Sequence, residues 1–449
     1  MKHFARAGLL AAATALAACG GDGGGPSGGS SDMPTKTVES TAKIDVKAEA
    51  TGTITFAVPS DAPGDIKKRK AQAKAFMAAN PKATVKIVTV PATGYDQKIM
   101  TRIAGGNAPD LFGSGDVQIP TLVNRNYALD LKPYMEADNF DTDAFYPEVI
   151  EALTYDGKIV GLTDLWDTQA LYYNRGMFRA AGLEEPTADW TWDDYREAAK
   201  KLTKGEGRDK VYGSLWQKWW VPVSDAVQAA GGSVYGEDAK SCTLNQPEGV
   251  KALEFLDSLR KDGSDPGATE DRVLGRTGDE VFMAGKAAMM VGDGRWGVGA
   301  FSEAEDLDWA VAPLPKGPSG ERSNFFHMPM FAIASNSKNP DLAWKFLRYV
   351  TSAEALKQDI ADAEGVPAIK ELAESPAVAE APQVVEHNAL APFVDSLPTA
   401  KRAPQITTFS RYQDKIDDQL LPLWKGRKSP QEAADAACKA VDAEFAKTS

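Results

Sequence analysis

From Thr53 to Phe112 the chain repeats one grammar: a short apolar run, a stretch with helical spacing, then another short apolar run. The runs are Thr53–Val58 (TITFAV), Thr84–Val90 (TVKIVTV) and Ala108–Phe112 (APDLF). Between them lie Ile66–Asn80, with Ala73, Phe76 and Met77 near helical spacing, and Tyr95–Ala104, which stops at Gly105-Gly106. Such alternation joins strands through right-handed crossovers, so a mainly parallel sheet flanked by helices is expected, an α/β fold.

The grammar resumes after Gly161–Gly182 (GLTDLWDTQALYYNRGMFRAAG), the stretch around which the rest is organised. It reads as an extended crossing, a buried strand at Gln169–Tyr173, a turn at Asn174-Arg175-Gly176 and a short helix ending on Gly182, a left-handed C-cap position. Thr191 is the expected N-cap of a helix running to Leu202. A strand at Tyr212–Trp216, a helix at Pro222–Ala230 and a helix at Pro247–Lys261 with Gly263 beyond its end come next. Asp279–Gly285 and Ala287–Val291 predict helix then strand, followed by Gly292-Asp293-Gly294-Arg295-Trp296. Strands at Trp309–Pro313 and Met330–Ala334, a helix at Asp341–Tyr349 and closing helices at Phe409–Leu423 and Pro430–Ala446 complete the reading.

With 449 residues, 43% hydrophobic and 25% charged, the chain is globular and long enough for two or three domains. Its formal net charge of −13 argues against nucleic acid, which is bound through basic surface, and against adhesion to anionic lipid.

Lys2 and Arg6 precede an apolar run, Leu9–Ala17, that is too short to span a bilayer. Leu16-Ala17-Ala18-Cys19 then resembles a bacterial lipobox, which implies that residues 1–18 are a signal peptide and that Cys19 takes a diacylglycerol. An ordinary secretory signal that happens to contain a cysteine is the plainer alternative. Residues 19–51, opening GGDGGGPSGGSSD after Cys19, read as a flexible tether. The expectation is an exported protein held by its lipid at the outer face of the cytoplasmic membrane. Cys242 and Cys438 remain, and export permits a disulfide, although their approach cannot be read from the sequence. Neither has a nearby His or a close Cys partner, so no metal and no cofactor is expected.

Leu171-Tyr172-Tyr173-Asn174 and the blocks PEGVKALEFLDSLRKDG, EVFMAGKAAMMVGDGRW, APLPKGPSGER and SNSKNPDLAWKFLRYVTSAEAL are similar, in order and spacing, to extracellular solute-binding proteins of ABC importers. The resemblance is to the carbohydrate-binding family that includes the maltose-binding proteins. It implies a two-lobed periplasmic-binding-protein fold of type II, each lobe a mainly parallel sheet flanked by helices. The implied lobes are residues 52–160 with 330–377, and 161–329 with 378–449, joined by hinge crossings. It further implies a monomer that closes over a sugar and delivers it to a membrane permease, without catalysis. Phe326, His327, Phe409 and Tyr412 match regions that approach the cleft in that family.

Independently, open α/β sheets bind ligands beyond the C-terminal ends of their strands. That rule selects Ser60, Asp61, Ser114, Asp116, Trp216, Trp219, Trp220, Asp293, Arg295 and Trp296, and the crossing adds Trp166 and Asp167. Tryptophan faces edged by carboxylates suit a sugar, which has C–H faces and a rim of hydroxyls. Plainer roles compete. Asp110 reads as a backbone cap, Trp190 and Trp192 as a staple about a helix start, and Trp344 as core. Three Trp within Trp216–Trp220 cannot all face inward, so at least one is expected in the cleft. Arg295 is either a ligand group or a brace for Asp293.

Two rival functions remain. A secreted carbohydrate-active enzyme needs an opposed carboxylate pair, but no GxSxG, HExxH or phosphate-loop signature is present. The same fold could take a polyamine, glycerol phosphate or a peptide. Phosphate calls for clustered cations, and these loops hold only Lys218 and Arg295, whereas the aspartates with an aromatic box would suit a cation.

Overall fold

The computed structural model describes residues 44–60, 63–91, 94–237, 239–268, 278–304, 306–357 and 365–448. Strand β1 (Gly52–Pro59), helix α1 (Pro63–Ala79), β2 (Ala83–Val90), α2 (Tyr95–Ala104) and β3 (Leu111–Gly115) follow in turn, and β1 pairs parallel with both β2 and β3. The third strand begins later than the APDLF run predicts because Asp110 is used as a brace outside the ladder. Its carboxylate accepts from Thr55 N at 2.9 Å, Thr55 Oγ1 at 3.0 Å and Ser337 Oγ at 2.7 Å.

The crossing contributes β4 (Leu165–Trp166) and then β5 (Ala170–Asn174). Helix α3 (Trp192–Leu202) starts in a capping box, Thr191 and Asp194 each accepting from the other's backbone N–H. Next come β6 (Leu215–Trp216), α4 (Trp220–Ala229), α5 (Pro247–Lys261), β7 (Met289–Asp293), α6 (Gly297–Ser302) and β8 (Trp309–Ala312). These strands lie in the order β8-β5-β7-β6. Only β6 and β7 pair in parallel, while β5 runs antiparallel to both β7 and β8. The second sheet is therefore mixed rather than mainly parallel. A strand arriving from the crossing runs away from it, whereas β6 and β7 run back toward it.

The chain then returns as β9 (Pro329–Ile333), antiparallel to β3 at the edge of the first sheet, and α7 (Pro340–Val350). Strand β10 (Val366–Pro367) pairs with β4. Helices α8 (Phe409–Trp424) and α9 (Pro430–Thr448) pack on each other and on α5, and a Cys242–Cys438 disulfide pins α9 to the chain ahead of α5.

Tyr172 and Tyr173, adjacent on β5, point into different cores, as alternation along a strand requires. Leu171 and Tyr173 face α3, α4, α5, α8 and α9; Tyr172 faces Phe282, Phe301 and Trp309. The Tyr172 core does not stop at its lobe. Through Trp166, Phe326 and Phe393 it continues into the first lobe, where Phe56, Phe112, Phe331 and Trp344 lie.

Three passages thus link the lobes, and they lie side by side. Val366–Pro367 pairs with Leu165–Trp166, and Asp167 and His327 exchange backbone bonds (Asp167 N to His327 O 2.7 Å, His327 N to Asp167 O 3.0 Å). Phe326 N donates to Lys401 O at 2.8 Å, and Lys401 N donates to Asn324 O at 2.7 Å.

Candidate functional site

Two of the strand ends selected from sequence, those of β3 and β7, meet at this hinge. From the first lobe, β3 turns after Gly115 into a short 3₁₀ turn that holds Asp116, and β9 begins opposite it with Pro329 paired to Gly115. The register sets His327, two residues ahead, with its Nδ1 3.1 Å from Asp116 Oδ1. Asp116 is buried, while the His327 side chain keeps 39% exposure. Burial pulls the His327 pKa down, but the Asp116 bond and the charges of Asp116 and Asp167 outweigh it and leave the imidazole above its usual value.

From the second lobe, the β7–α6 loop brings Trp296 edge-on to the His327 ring, centroids 6.1 Å apart. The loop is close-packed against the crossing. A Cβ on Gly294 would lie 2.4 Å from the Trp296 ring and 2.7 Å from Asp167 Cγ, so only glycine fits between them. Tyr172 Oη donates to Gly294 O at 2.6 Å from below.

Asp167 sits at the centre, 2% exposed. Its Oδ1 accepts from Arg295 N at 2.7 Å and Thr168 N at 3.0 Å, and its Oδ2 is buried without a partner. Burial drives its pKa up to about 7, against the Arg295 N–H, His327 and the Arg295 charge. Ser114 Oγ is likewise buried and unpartnered. Asp293 accepts from Gln217 Nε2 at 2.9 Å, and Gln217 Oε1 accepts from Trp219 Nε1 at 3.1 Å. Burial, then the neighbouring Asp279 carboxyl, raises the Asp293 pKa well above the carboxylate range.

Several expectations are corrected. Trp166 is fully buried in the hinge against Tyr146 and Phe326 (centroids 5.3 and 6.0 Å) and presents no open face. Trp216 is 2% exposed, its ring edge-on to Tyr195 and Phe255 and its Nε1 donating to Pro222 O, so it belongs to the lobe core. Trp219, Trp220 and Trp296 are half-buried. Arg295 is a brace, though not of Asp293: it is wholly buried, with Nε donating to Ala389 O at 3.0 Å and Nη1 to Gly365 O at 2.7 Å. Lys218 is buried in an ion pair with Asp265 at 3.1 Å. Ser60 is exposed at the end of β1, its N–H donating to Val90 O. Phe326, Phe409 and Tyr412 are buried, Phe409 beneath Trp220 and Tyr412 stacked on Phe445. Asp61 and Cys19 lie outside the described residues.

Gln217 and Asp279 escaped sequence reasoning. Gln217 directly follows the end of β6, so the strand-end rule reaches it. Two surface concavities, of about 280 and 570 Å³, lie along residues 373–395 and are lined by none of the candidate ligand residues.

Residues 71–386 match the family model of the bacterial extracellular solute-binding proteins. The chain belongs to that family. The galactooligosaccharide-binding protein of Bacillus subtilis is 24% identical to this solute-binding protein over 79% of this chain and 81% of its own. The diacetylchitobiose binding protein DasA of Streptomyces coelicolor is 26% identical over 99% and 98%. The solved structure of an ABC substrate-binding protein of Listeria monocytogenes, in complex with cycloalternan, superposes with a TM-score of 0.78 at 27% identity, covering 89% of this chain and 99% of that one. The solute-binding protein therefore has the two-lobed fold of that family, and its relatives are binding proteins. Among the described residues no helix is long and apolar enough to cross a membrane.

Proposed function

We propose that this solute-binding protein captures a neutral sugar or oligosaccharide between its lobes and presents it to the permease of an ABC importer. The observation that supports this most is the convergence, at one hinge, of Trp296, His327, Asp116 and Asp167 from both lobes. Trp296, Trp219 and Trp220 offer partly open faces, and His327 and Gln217 offer polar atoms beside them, with the buried carboxyl of Asp116 behind His327. A ligand touching both sides favours the closed state through its differential affinity.

Names of relatives point the same way: galactooligosaccharide, diacetylchitobiose and cycloalternan are all carbohydrates. The two long cations of these loops, Lys218 and Arg295, are committed to Asp265 and to backbone carbonyls, which leaves phosphate poorly served. In this reading the lobes are residues 52–160 with 330–377 and 161–329 with 378–449, the protein is a monomer, and Cys19 carries the lipid that holds it outside the cytoplasmic membrane. Binding occurs without turnover.

A thermal-shift screen of the purified protein against mono- and oligosaccharides, with polyamines and glycerol phosphate as controls, tests this. A ligand at 100 times its dissociation constant stabilises by about 2.7 kcal/mol. Stabilisation by a sugar with no product released supports the reading; a response confined to an amine, or sustained release of product from a glycoside, overturns it.

A further inference from the structure

The Trp296 loop is tied to two of the three passages by a residue that has no exposed surface. Arg295 N–H donates to Asp167 on the first passage, and its guanidinium donates to Gly365 O, next to Val366–Pro367 on the third, and to Ala389 O farther along the chain in the second lobe. Its neighbour Trp296 stands against His327 of the second. One dipeptide of the second lobe thus touches every link to the first.

We propose that Arg295 is a positioning residue, which sets the preferred hinge angle and carries it to the ligand face of Trp296. Turning the lobes requires backbone rotation within the passages, and that moves Gly365 O of the first lobe relative to Asp167 and Ala389 O of the second. A planar guanidinium meets both carbonyls only over a narrow range of that movement, and a buried donor that loses its acceptor is penalised. Arg295 therefore acts as a detent. It does not touch the ligand, since its polar atoms face the passages and it is fully buried. Burial lowers its pKa, and the charges of Asp167 and Tyr172 oppose that shift. This inference rests on the interlobe cleft being the ligand site.

The test compares wild type with Arg295→Lys and Arg295→Met, spin-labelled at exposed Lys74 on α1 and Lys251 on α5 after replacement by cysteine. Interlobe distances are recorded without ligand, and the melting temperature and sugar affinity are measured alongside. The expected result is a broadened or displaced distance distribution in both variants and sugar binding at least tenfold weaker. Lysine, which keeps charge but not the planar fork, should be the milder. A ligand-free distribution in the folded variants that matches wild type overturns the proposal, whatever their affinity. If the arginine variants fail to fold, Asp167→Ala, which removes the acceptor of the Arg295 N–H, must displace the distribution; an unmoved one is equally fatal. The ligand-free comparison needs no sugar, so failure of every sugar to bind would defeat the functional reading and leave this one decided on its own data.

Discussion

Asp164 and Asp167 stand three positions apart on the first passage, and each answers to a different lobe. Asp164 is buried against α1, 2.8 Å from Arg69 Nη2 and 3.2 Å from Lys68 Nζ. Asp167 takes the Arg295 N–H of the opposite lobe. The passage is thereby a strap fastened at both ends, with Ala368 N of the third passage donating to Asp164 O at 2.9 Å in between.

Breaking the first fastening should be costly. Removing Asp164 leaves the buried Arg69 guanidinium with Asp65 alone, 2.9 Å away, so Asp164→Ala is expected to destabilise by about 3 kcal/mol. Replacing the pair together, Asp164→Leu with Arg69→Met, should recover most of that loss. Urea denaturation of the three proteins reads the difference.

The second aspartate predicts a pH dependence of unusual sign. With Asp167 raised from 3.8 to about 7, the folded state keeps a proton that the unfolded chain releases. Stability should fall as pH rises from about 4 to 7 and level off above, by up to about 4 kcal/mol at 1.36 kcal/mol per pH unit. His327, also raised, acts in the same direction: its contribution is present below the unfolded histidine pKa and lost as pH climbs through the folded one. Asp164 is lowered, because Arg69 and Lys68 outweigh burial, so its contribution disappears only in acid. Melting temperatures between pH 4.5 and 8 should decline in wild type and decline less steeply in Asp167→Asn, where His327 and Asp293 still titrate.

The tryptophans divide into two experimental classes. Trp296→Ala should weaken sugar binding by tenfold or more and shift the melting temperature little, because its ring is half-buried at the hinge. Trp216→Ala, sealed among Tyr195, Phe255 and α4, should cost about 3–5 kcal/mol of stability. Calorimetry and denaturation on both variants separate the roles; equal effects on stability would contradict the assignment.

The Cys242–Cys438 bond closes a sequence separation of 196 residues. Its loss in Cys242→Ser with Cys438→Ser should cost about 3–5 kcal/mol by chain entropy. Hydrogen exchange should rise first in α9, which the bond holds to the segment ahead of α5.

Much of this was legible in advance, for reasons that differ by residue. Pro247 and Gly263 bracket α5 as helix chemistry requires, and Thr191 is the N-cap of α3 as expected. Tyr172 and Tyr173 divide between two cores because a strand alternates. What stayed hidden was anything decided by pairing across the chain. Trp166 and Trp216 carry the same local signal as Trp296, an aromatic at a strand end, and only burial by Tyr146, Phe326 or Phe255 tells them apart. Arg295 looked equally fit for ligand or loop because its acceptors, Gly365 O and Ala389 O, are main-chain atoms that no side-chain pattern announces. The antiparallel course of β5 depends on its entry from the hinge, which its own residues do not record.

Strand β9 carries a last consequence. The edge of the first sheet is completed only when Pro329–Ile333 docks on β3. On a ribosome β1, β2 and β3 would thus wait, unfinished, until synthesis had passed residues 161–328. Contacts of such long range form slowly. A chain that cannot complete its first lobe early stays threadable for longer, and a protein destined for a secretion channel gains from arriving there unfolded.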